Sequence, residues 1–117
     1  VSLPIADMQR YTNALEAQLT QRWAEAKLVV FGHLGDGNLH ISVSVGSAEI
    51  EVRREVEAMV YQPLATLGGS VSAEHGIGLE KRPWLATCRS SAEIELMHTL
   101  KQALDPHRLL NRGKILS

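Results

Sequence analysis

The sequence predicts an α+β fold, a small antiparallel sheet with helices packed on one face. Three observations carry this expectation. Apolar residues recur at helical spacing near the start, at Met8, Tyr11, Leu15, Leu19 and Trp23. Asp36-Gly37 then stands between two runs in which core-type and polar residues alternate, the pattern of a β-hairpin. Helical spacing returns twice after the hairpin, with a glycine pair and a short alternating run between the two stretches. Helices segregated to one face of an antiparallel sheet define the α+β class.

Taken in order, residues 6–27 read as an amphipathic helix. Strands follow at about 28–34 and 39–45. Residues 48–67 form a second helix with Ile50, Val52, Val56, Met59 and Val60 inward, kinked or ended early by Pro63. Gly68-Gly69 stops it and opens a third strand at 70–74. The last helix spans 92–104 and ends at Asp105-Pro106. The alternation of strands and helices is ferredoxin-like, with fewer strands than such a sheet usually has.

Asp36-Gly37 suits a two-residue type I′ turn, whose central positions both need positive φ. That register sets Gly35 opposite Asn38, Leu34 opposite Leu39 and His33 opposite His40. Leu28, Val30, Gly32, Leu34, Leu39, Ile41, Val43 and Val45 then share one face. Val29, Phe31, His33, His40, Ser42 and Ser44 share the other. Opposed side chains have Cβ atoms roughly 4.5–5.5 Å apart, so His33 and His40 could hold one metal ion. The same pattern fits a pair of surface or hydrogen-bonded histidines.

A second cluster reads Ser70-Val71-Ser72-Ala73-Glu74-His75-Gly76-Ile77-Gly78. Ser70, Ser72 and Glu74 share a face, which makes Glu74 a carboxylate ligand if this strand lies beside the hairpin. Two histidines and a glutamate with an open position are a catalytic zinc arrangement. Imidazole and carboxylate also suit manganese or iron. In an ideal strand His75 points away from Glu74, so a shared site needs the backbone to turn, which Gly76 and Gly78 permit. A polar strand end is the other reading of Glu74-His75.

Gly32-His-Leu-Gly-Asp-Gly-Asn-Leu-His40, then Ser72-Ala-Glu-His-Gly-Ile-Gly78, then Asp105-Pro106 leading to Leu110-Asn-Arg-Gly-Lys114, occur in that order. With these motifs, residues 29–115 resemble the C-terminal domain of FAD-linked oxidases of the vanillyl-alcohol oxidase type. Those enzymes include D-lactate dehydrogenases, the flavin subunit of glycolate oxidase and D-2-hydroxyglutarate dehydrogenase. The resemblance implies that His33, His40 and Glu74 bind a divalent cation, usually zinc, and that His75 is the general base. The implied reaction oxidises a D-2-hydroxy acid to a 2-oxo acid by hydride transfer to FAD. The implied partners are a small 2-hydroxy acid, an N-terminal FAD domain of the same chain and an electron acceptor. Asn111 is then expected near the flavin, and Lys81 is a candidate contact for the substrate carboxylate. Where metal-dependent relatives often carry asparagine near the substrate, this chain has Ser42, so substrate identity does not transfer. Arg112 replaces the proline of the family tail, which bears on chain rigidity more than on chemistry.

Composition sets the outer limits. The sequence has 117 residues, 44% of them hydrophobic, and a net charge of −1, which suits one domain with no general attraction for nucleic acid. No apolar run is long enough to span a bilayer. Cys88 is the lone cysteine, which excludes an internal disulfide and fits a reducing compartment. The expected location is cytoplasmic, or peripheral at a membrane through the electron acceptor; a homo-oligomer is compatible with it. The start at Val1 and the lack of a glycine-rich pyrophosphate-binding segment suggest an excised piece, inactive alone. His98 and His107 belong to no motif and read as structural or exposed. The alternative classes are a non-catalytic metal- or substrate-binding module and a purely structural domain.

Overall fold

A computed structural model describes residues 1–116. In chain order it contains α1 (Ile5–Arg22), β1 (Lys27–His33), β2 (Asn38–Ser44), α2 (Ile50–Tyr61), α3 (Leu64–Leu67), α4 (Leu85–Cys88) and α5 (Ser91–Leu104). The fold is α+β. Met8, Tyr11, Leu15 and Leu19 of α1 are buried, as their spacing predicts. The helix ends at Arg22 rather than continuing to 27, because Trp23 turns extended and packs its ring against the core. Ala24, Glu25 and Ala26 are good helix formers, so the stop is imposed by tertiary packing over local propensity.

β1 and β2 form an antiparallel pair in which Phe31 faces His40, Gly32 faces Leu39 and His33 faces Asn38. The expected two-residue turn at Asp36-Gly37 is therefore corrected. Leu34–Asp36 form a 3₁₀ turn, and Gly37 closes it in the left-handed region at φ 67°. His33 and His40 are diagonal neighbours rather than directly opposed. They stay on one face because pairing moved by an even number of positions, and side-chain direction has period two. Leu34, expected in the core, lies in the turn and is 62% exposed. The cause is non-local: Leu3 donates its N–H to Gly37 O at 3.0 Å. A Cβ on Gly37 would stand 2.7 Å from Leu3 O, so this turn needs glycine for both conformation and space.

The same N-terminal segment replaces the expected third strand. Ser2 exchanges two backbone hydrogen bonds with Ser70, both 2.8 Å, and also bridges Asn38. Residues 70–74 contribute that one bridge instead of a strand, and among the described residues the sheet is two-stranded. Val1–Leu3 thus lies between β2 and the Ser70 stretch like a strap. A three-residue segment with only Val1 and Leu3 to bury is too short to carry a periodic signal.

The core joins Leu3, four residues of α1, Leu39, Val60, Leu64 and Val71. Leu28, Val30, Ile41 and Val43 pack against it, while Val29 and Phe31 on the opposite sheet face are 57% and 61% exposed. Tyr11 donates its hydroxyl to Val60 O at 2.7 Å, tying α1 to α2 inside the core. Pro63 divides the expected second helix, ending α2 before it and standing at the start of α3. α5 begins at a capping box in which Ser90 and Glu93 satisfy each other's backbone N–H groups. Its end is held by Asp105, which accepts from Lys101 and from the Leu109 and Leu110 amides. Among the described residues no helix is long and apolar enough to cross a membrane.

Candidate functional site

The side chains of His33, Asn38 and His40 rise from the face of the hairpin turned away from α1. Phe31 stacks on His40, with ring centroids 5.1 Å apart and planes 15° from parallel, which fixes the imidazole plane. Glu74 arrives from the loop beyond Ser70. Its Oε1 lies 3.0 Å from His33 Nδ1 and 3.9 Å from His40 Nε2. One donor atom from each of His33, His40 and Glu74 lies within 4.8 Å of the others. Ligands at zinc-type bond lengths in a tetrahedron stand roughly 3.4 Å apart. The two separations from Glu74 Oε1 bracket that value, and nitrogen with carboxylate oxygen is a suitable donor set, so the three residues fit a divalent cation.

His75 does not point away from its neighbour. The backbone bends at this point, and Gly76 follows with φ 72°. His75 Nε2 lies 3.5 Å from Glu74 Oε2, and its ring is 6.0 Å from that of His40. His40, Ser42, Glu74, His75 and Lys81 line one pocket of about 350 Å³. Lys81 Nζ donates to Ser72 Oγ at 3.4 Å, and that hydroxyl donates to Gly76 O at 2.6 Å. Tyr61 lines the pocket as well. Burial pushes its hydroxyl above the ordinary value, and Glu57 and Glu80 add to the shift.

Asn111 is not part of this cluster. It adopts φ 44° and lines a larger, mainly apolar cavity of about 930 Å³ among α4, α5 and the tail. The larger cavity holds none of the His33, His40, Glu74 and His75 group, so chemistry rather than size identifies the site. The cavities meet at Ser72, which lines both. His98 and His107 line the larger cavity and are exposed.

Asn38 escaped the sequence reading of the site. It is 4% exposed, and its side-chain amide donates to Glu74 Oε1. The signal was its place two residues before His40 on one strand, which puts both side chains on the same face.

Over residues 1–115 the chain matches the family described as FAD linked oxidases, C-terminal domain, and it belongs to that family. It is 42% identical over 98% of its length to the D-2-hydroxyglutarate dehydrogenase of Xanthomonas citri pv. viticola, of which it covers 25%. It is 40% identical over 99% of its length to the mitochondrial D-2-hydroxyglutarate dehydrogenase of Rattus norvegicus, covering 21% of that protein. Against the D-lactate dehydrogenase of Anaerostipes hadrus it is 38% identical over 95% of its length, covering 23%. The chain thus spans about a quarter of the length of the curated relatives it matches.

Proposed function

We propose that this chain is the substrate-side domain of an FAD-dependent dehydrogenase that oxidises a small D-2-hydroxy acid to its 2-oxo acid. The observation that carries this reading is the gathering of His33, His40 and His75 around the Glu74 carboxylate, with His40, Glu74 and His75 lining a pocket of about 350 Å³. The names of the relatives, D-2-hydroxyglutarate and D-lactate dehydrogenases, support the substrate class.

His33 Nδ1, His40 Nε2 and Glu74 Oε1 would hold a divalent cation, zinc in the first instance. Bound there, such a cation would lower the pKa of the substrate hydroxyl and orient the neighbouring carboxylate, and FAD would supply the hydride acceptor. His75 takes the hydroxyl proton, and the charge its imidazole gains forms beside Glu74 Oε2, 3.5 Å away. Lys81 supplies a cation for a substrate carboxylate, and Ser42 a small hydroxyl at the rim. Asn111 stands at the apolar cavity, a surface suited to the flavin side.

The test is an assay of the full-length gene product, purified without a histidine tag, against a panel of D- and L-2-hydroxy acids with an artificial electron acceptor. Oxidation confined to D-acids, lost on chelation and restored by Zn²⁺ or Mn²⁺, is expected. Activity that survives complete metal removal would refute the metal role, and turnover of L-acids alone would refute the substrate class.

A further inference from the structure

We infer that Asn38 is a positioning residue that fixes the plane of the Glu74 carboxylate, with one oxygen toward the histidine pair and the other toward His75. The inference rests on the metal reading above and assigns a role to a residue outside the ligand set. The two oxygens of Glu74 have different neighbours. Oε1 lies 3.0 Å from His33 Nδ1 and 3.9 Å from His40 Nε2, and it accepts the hydrogen bond from Asn38 Nδ2. Oε2 lies 3.5 Å from His75 Nε2. A carboxylate group rotates through a broad torsion, so nothing in Glu74 itself fixes the plane in which its two oxygens lie.

The hydrogen bond from Asn38 supplies that restraint. Its side chain is fixed by burial, being 4% exposed, and its backbone is paired with His33 in the hairpin. An ionised carboxylate has about four lone-pair sites. Oε1 can therefore accept from Asn38 on one side while its other lone pair serves the histidine side. Oε2 is left for His75. The amide thus connects the strand that carries both histidines to the loop that carries the carboxylate and the base. Outer partners that orient a metal-binding carboxylate typically contribute 10–100-fold to affinity.

The test is Zn²⁺ affinity and the visible spectrum of the Co²⁺ form, measured on the full-length gene product. The variants are Asn38→Leu, close in shape but without a donor, and Asn38→Ser, smaller and unable to reach; His33→Ala is the ligand control. Weakening of Zn²⁺ binding by about 10–100-fold in both Asn38 variants is expected. It should come with an altered Co²⁺ spectrum and an unchanged far-ultraviolet circular dichroism spectrum. A purely structural role would lower the melting temperature while the folded fraction kept wild-type affinity and spectrum. If Asn38→Leu does not fold, Asn38→Ser decides. Wild-type affinity in a folded Asn38 variant, with binding lost in His33→Ala, overturns the role of Asn38 and leaves the metal reading standing. No Zn²⁺ uptake by the unsubstituted protein overturns both.

Discussion

His75 is the most exposed histidine around Glu74, at 76% of its side chain against 59% for His33 and 29% for His40. An exposed imidazole beside a carboxylate can meet a substrate hydroxyl, whereas His40, clamped under Phe31, is suited to a fixed donor position. This difference separates two substitutions. In the full-length gene product, His75→Ala is expected to lower turnover roughly 10²–10⁴-fold while the metal content stays near wild type. His33→Ala should lower both, because one of three donors is gone. Metal stoichiometry and turnover measured on the same preparations decide between the roles. Equal loss of metal in the two variants would make His75 a ligand and leave the base to be found elsewhere.

Among the elements, α5 depends on its ends. Ser90 and Glu93 close the first turn, and Asp105 ties the last turn to the chain that follows. The hydrogen bond from Lys101 holds the Asp105 carboxyl at about 2, well below its ordinary 3.8, with the Leu109 and Leu110 amides assisting against the opposing effect of burial. A carboxyl depressed in the folded state stabilises that state fully above its unfolded value and loses the effect as pH falls through the folded value. The tail should therefore loosen between about pH 4 and pH 2. Carboxyl titration by NMR, read with the Leu109 and Leu110 amide shifts, checks this. A midpoint near 4 would mean the clamp is absent in solution. Asp105→Asn should abolish the acid transition of those amides.

For the whole molecule, the candidate site depends on Val1–Leu3. This strap pairs with Gly37 and Leu39 on one side and with Ser70 on the other, and Leu3 is buried in the core. Leu3→Ala should destabilise the fold by roughly 2–5 kcal/mol in urea denaturation. It should also weaken Zn²⁺ binding in the folded protein, because Glu74 reaches the histidines through this connection. Unchanged affinity in a destabilised but folded variant would show that the strap stabilises without positioning. The sequence by itself determined the local features: the buried stripe of α1, the division of the hairpin into a core face and a histidine face, the break at Pro63, and the residue types of the site. Each follows from a period of 3.6 or 2, or from the fixed φ of proline, and needs no distant partner. The turn at Leu34–Gly37, the early end of α1, the strap in place of a third strand, and the approach of Glu74 to Asn38 and the hairpin histidines were decided by the tertiary structure. These rest on hydrogen bonds and packing between residues far apart in the chain, such as Leu3 with Gly37 and Asn38 with Glu74. Contacts of that kind leave no periodic signal, and only the assembled core brings their partners within reach.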